Sequence, residues 1–157
     1  MGFVVIFVAA WLAVFIFYAM NKSLTIAENA FVYLTVMIIE INFTWIVAEE
    51  LKLVELTKDG LLYAGFILNR TIVLPLLFVI MLNAVYRAGS IVRALIPVGV
   101  ALAVILGLDA LLQYFQITIF RQWNLFYDAI HIAILQAVSW GLLMLYRKIG
   151  RSGGKAG

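Results

Sequence analysis

An all-α, polytopic transmembrane helix bundle of about five spans is the fold class the sequence predicts, and three observations predict it. Of its 157 residues, 66% are hydrophobic and 12% are charged. Soluble domains carry about 25% charged residues, so a chain this poor in polar groups cannot cover its surface in water. The mean hydropathy of +1.12 agrees. Apolar runs recur that reach the ~20 residues needed to cross a ~30 Å hydrocarbon core. Most of the charges fall between these runs, where membrane proteins keep them.

Taken in order, the spans cover about 2–20, 26–48, 61–86, 91–116 and 123–146. The first has no basic residues before it and ends in "FYAMNKS", a poor cleavage site, so it reads as a retained span rather than a signal peptide. The second opens on Thr25-Ile-Ala-Glu28, the spacing of a capping box. Between the second and third, "EELKLVELTKDG" mixes charge signs and reads as a solvated turn. The third and fourth contain Pro75 and Pro97, each of which removes a backbone donor and predicts a helix kink. Pro75 also frees the Thr71 carbonyl to accept a bond from elsewhere. The short "QITIFRQW" separates the fourth span from the fifth. Residues 1–148 form a single bundle, and 149–157 read as a flexible basic tail.

Five spans put the two ends of the bundle on opposite sides. Lys22, Arg87, Arg93, Arg147, Lys148, Arg151 and Lys155 fall on one side, and Lys52, Lys58 and Arg121 on the other. Basic loops stay cytoplasmic, so the N-terminus is expected outside and the C-terminus inside, in the cell membrane. Trp11, Trp45, Trp123 and Trp140 suit anchoring at the interface.

The remaining charges form a layer. At 1.5 Å per residue, Arg70 lies about 13 Å below the outer end of its span, and Glu40 about 12 Å below the same surface. Opposite charges at matching depth in neighbouring antiparallel helices predict an ion pair. Asp109, Asp128 and His131 fall within one or two turns of that depth. Helical spacing puts Asp109 with Gln113 and Gln116, Asp128 with Asn124 and His131, and Glu40 with Asn29, Tyr33 and Thr44. A charge facing lipid costs at least ~2.5–3.5 kcal/mol, so these stripes are expected to face one another across a polar cleft. The expected layer is Glu40, Asn69, Arg70, Asp109, Gln113, Asp128 and His131.

Two readings of the layer stand side by side. It either fixes helix register or handles an ion, a proton or a small polar solute. Three carboxylates against one arginine and one histidine cannot all stay ionised in low dielectric, which favours a protonatable site. Asp109, Asp128 and His131 are candidate ligands for a divalent ion, on ligand type alone, and either aspartate is expected to hydrogen-bond the imidazole. No cofactor is expected, since neither a glycine-rich phosphate loop nor a hydrolase or zinc-protease motif is present. That absence speaks against an enzyme. The scattered basic residues exclude a nucleic-acid patch. Expected partners are the lipid bilayer, further copies of the chain, or a larger membrane subunit. The competing function is that of an accessory or scaffold subunit whose polar layer is structural.

Overall fold

The computed structural model describes residues 1–153. Its helices are α1 (Gly2–Ala19), α2 (Ile26–Trp45), α3 (Gly60–Leu68), α4 (Leu74–Arg87), α5 (Ile91–Tyr114) and α6 (Leu125–Gly153). A π-helical turn, Ile46–Glu50, extends α2, and another, Asn69–Val73, joins α3 to α4. Five continuous helices are therefore long and apolar enough to cross a membrane: Gly2–Ala19, Ile26–Glu50, Gly60–Arg87, Ile91–Tyr114 and Leu125–Gly150. This is a multi-span helical membrane protein in contact with the bilayer. The helix expected to end near 146 continues to Gly153, and 154–157 of the expected tail lie outside the described residues.

The third span is the centre of the bundle. Of its membrane window 61% is buried, against 11–28% for the other four. Its α4 segment packs against α1, α2, α5 and α6. The main apolar core gathers around it from Val32, Val36, Phe78, Val79, Leu82, Ile105 and Leu135. A second cluster, Ile6, Phe66, Leu112 and Ile117, lies where α1 meets α3 and the end of α5. There Gly2 leaves no room for a side chain, because a Cβ on it would fall 2.9 Å from the Phe115 Cβ.

The loop expected as a solvated turn is instead half of a small sheet. β1 (Val54–Leu56) pairs antiparallel with β2 (Thr118–Phe120), in the register Val54–Phe120, Glu55–Ile119 and Leu56–Thr118. Left-handed backbone at Lys52 (φ 52°) and Gln116 (φ 55°) turns the chain into each strand. Loops two-three and four-five are thereby tied across one end of the bundle, here called the lid end. Strand alternation puts Glu55 on the outer face, where the Arg121 guanidinium donates to Oε2 at 2.6 and 2.9 Å. That contact holds the Glu55 carboxyl below its ordinary value. A lowered carboxyl contributes its stability above the ordinary glutamate range and loses it as pH falls through the lowered value. Amide exchange at Thr57 and Arg121, corrected for intrinsic pH dependence, is accordingly expected to quicken in acid. The effect will be small, because both partners are solvent-exposed.

At the opposite end every prominent buried polar group is satisfied. The expected capping box forms, with Glu28 N donating to Thr25 Oγ1 and Thr25 N to Glu28 Oε2. Arg147, 119 residues away, closes on the same carboxylate through two nitrogens and lies over the Tyr86 ring at 4.1 Å. Beside it Asn83, 1% exposed, accepts from the amides of Ser23 and Leu24 at 2.8 and 3.0 Å. Its amide nitrogen donates to Asn29 Oδ1 at 2.7 Å and to the Val79 carbonyl at 2.8 Å. Asn29 in turn donates to the Leu24 carbonyl.

Candidate functional site

A cavity of about 100 Å³ lies under the lid, with room for a few water molecules or a small polar group. Glu40 reaches it from α2, Asn69 and Arg70 from the π-turn, Asp109 from α5, and Asp128 and His131 from α6. Val54, Leu56, Thr118 and Phe120, on the inner face of the sheet, complete its roof. On the other side the main core closes it: Val36, Phe78, Ile105 and Leu135 each lie about one or two turns further from the lid than the polar residue of their own span.

The π-turn explains how two consecutive residues reach one wall. In an α-helix neighbours point about 100° apart. The wider turn, with the Leu74 amide donating to the Asn69 carbonyl, places both Asn69 and Arg70 on the cavity. Pro75 has no amide for the Thr71 carbonyl, which accepts instead from the Tyr33 hydroxyl at 2.5 Å. Such π-turns recur at functional sites.

The electrostatic pairing differs from the one expected from depth. Glu40 does not form an ion pair with Arg70. Its Oε1 stands 3.3 Å from His131 Nε2, and Arg70 acts on Glu40 only through its field. Depth fixes a residue's level but not its azimuth, and the Arg70 guanidinium turns over the Phe66 ring at 5.1 Å. Nor does an aspartate hold the imidazole. The Trp123 indole donates to Asp128 at 2.6 Å, while the His131 ring stacks flat on Phe43, 3.6 Å between centroids and 6° between planes. Trp123, read from sequence as an interfacial anchor, is thus part of the cavity wall. Gln113 is not, since its amide bonds the Asp109 carbonyl within its own helix. Pro97 lies within α5, which continues through it. Among the described residues, no group of three His, Cys, Asp or Glu side chains converges so as to hold a metal ion.

Four buried side-chain atoms have no hydrogen-bond partner among the described residues: Glu40 Oε1, Asn69 Oδ1, Arg70 Nε and His131 Nε2. All four belong to this cavity. Although Glu40 and His131 are within 3.3 Å, their angles are not those of a hydrogen bond. These four atoms are where water or a bound polar group completes the bonding. Glu40 and Asn69 are each only 5% exposed. The wall offers acceptors and donors together, with carboxylates from three helices against one guanidinium.

Two features escaped the sequence. Phe43 was available to helical spacing, standing three residues after Glu40, whereas Trp123 precedes α6 and no spacing rule joins it to Asp128. Gln136, which ties α6 to the Val98 carbonyl at 3.2 Å, is a polar residue inside an apolar run and could have been flagged on that ground alone. Compared with known proteins, the chain matches no family model, no curated protein and no solved structure.

Proposed function

We propose that the protein takes an ion, a proton or a small polar solute into the cavity under the lid, and works as an oligomer or beside a larger subunit. The observation that carries this reading is the gathering of four buried, unpartnered polar atoms on one cavity while the polar network at the other end is fully bonded. A purely structural layer would be expected to satisfy its own groups. In this reading Arg70 is the fixed positive charge. Glu40 and His131 face each other as a proton-accepting pair, and Asp109 and Asp128 supply the excess acid that favours a proton or cation.

Reconstitution into liposomes tests it. Asp109→Asn should leave the melting temperature intact and lower proton or cation flux at least tenfold. A folded variant with unchanged flux would sink the reading.

The lid end is proposed to face outward and the Arg147 end the cytoplasm of the cell membrane, from the excess of basic residues at the latter. The natural chain has no cysteine, so single introduced cysteines report orientation cleanly. In intact cells a membrane-impermeant maleimide is expected to label Lys58→Cys and to spare Arg87→Cys. The reverse pattern would invert the topology.

The competing reading, an accessory subunit, is favoured by α5. Gly99, Ala103 and Gly107 line its exposed side at four-residue intervals, with open space beyond both glycines. Small residues so spaced allow a second helix to approach closely in a membrane. The flux result for Asp109→Asn decides between the two.

A further inference from the structure

The cavity has a thin side wall. Phe43, Trp123 and His131 line it on one face, and the same three residues line a separate groove between α2 and α6 on the other. That groove has a volume of about 380 Å³, and its remaining walls are almost wholly apolar, including Ile134 and Val138. Ile134 is 58% exposed and faces the bilayer side of the bundle. The cavity is roofed by the sheet and closed by the main core on the opposite side, and the aromatic wall is a boundary it shares with a lipid-facing groove.

The molecule contains its own control. Another apolar groove, of about 320 Å³, runs beside Phe17, Tyr33 and Val79. The polar side chains it touches are already engaged, Tyr33 by the Thr71 carbonyl, Asn29 by Asn83 and Leu24, and Lys22 by the Tyr18 carbonyl. Of these two grooves, it is the one at His131 that backs onto unpartnered polar atoms.

We infer that this paired cavity and groove bind a single-chain amphiphile entering sideways from the membrane as the aromatic wall between them parts, with its hydrocarbon chain in the groove and a small amine head in the cavity. The chemistry of the wall selects the head. Glu40, Asp109 and Asp128 present carboxyl groups from α2, α5 and α6, whereas among the described residues Arg70 and His131 are the basic groups lining it. An anionic head would meet carboxyl groups from three helices. An amine donates to Glu40 Oε1 and Asn69 Oδ1, both of which lack a donor. Its chain replaces lipid against Ile134 and Val138 at little cost, because one apolar contact is exchanged for another. The inference rests on the cavity being a ligand site, and it names what that ligand is.

The test uses the full chain in phosphatidylcholine nanodiscs and a dodecylamine bearing a photoactivatable diazirine in mid-chain. Saturable labelling is expected on α6 near Ile134 and Val138. Unlabelled dodecylamine should compete, and dodecanoate and methylamine should compete at least tenfold less well, since one has the wrong head and the other no chain. Glu40→Gln should weaken labelling about tenfold, and Val138→Trp, which fills the groove without touching the cavity, should do the same. Labelling scattered over all lipid-facing helices, or equal competition by dodecanoate, would overturn the amphiphile. If cation flux then still depended on Asp109, the cavity reading would stand without it. If Asp109→Asn altered neither flux nor labelling, both would fall.

Discussion

Replacement of Asn83 by leucine is expected to cost on the order of 3–5 kcal/mol of unfolding stability, the largest single loss in the molecule. The side chain is fully buried and serves several partners at once. Leucine would strand the Ser23 and Leu24 amides and the Asn29 carbonyl oxygen, each worth about 1–3 kcal/mol when buried without a partner. It would also loosen the turn that joins the first two spans. Chemical unfolding of the purified protein checks this, and a loss below about 1 kcal/mol would show that the network is not what holds that end closed.

Glu40→Gln should behave in the opposite way. The carboxylate is as buried as Asn83, yet Oε1 has no hydrogen-bond partner and His131 Nε2 stands opposite it without bonding. Glutamine keeps the shape and removes the charge. Stability is expected to stay within about 1 kcal/mol of the native chain or to rise, as happens when a destabilised functional group is neutralised, while flux falls at least tenfold. A melting loss comparable to that of Asn83→Leu would identify the layer as structural. In that case a double Glu40→Gln, His131→Gln variant should recover part of the loss, because neither half of that facing pair is left without the other.

The contrast between these two residues also measures how far the sequence could be read. Span existence and the inward face of α2 were legible, because apolar length and helical spacing are local properties. Asn29, Tyr33, Glu40 and Thr44 were read as sharing one side of α2, and none of them is among its exposed residues. The Thr25–Glu28 capping box was legible for the same reason. Partner choice was not. Arg70 and Glu40 match in depth, but the π-turn and Phe66 set the direction of the guanidinium, and no spacing rule encodes either. The second bond to Glu28 comes from Arg147, 119 residues away. The lid strands are three residues each, too short for alternation to register, and they exist only because they find each other across the bundle. Asn83 could have been suspected as a polar residue within an apolar run, but its partners lie mostly in the turn before α2.

That lid has a consequence for how the protein is made. Glu55 and Arg121 are 66 residues apart, and β1 has no strand partner other than β2. While the chain is being synthesised, the second and third spans can enter the bilayer already carrying Glu40 and Arg70, two of the charged residues of the future cavity. The roof above them waits for the loop between the last two spans. Until translation reaches that loop, the half-built pocket carries bare charge within the membrane with neither Asp109 nor His131 beside it. The site is therefore the last part of the molecule to mature. A nascent chain stalled after the third span would display an unshielded glutamate and arginine, a mark by which membrane quality control could distinguish it from the finished protein.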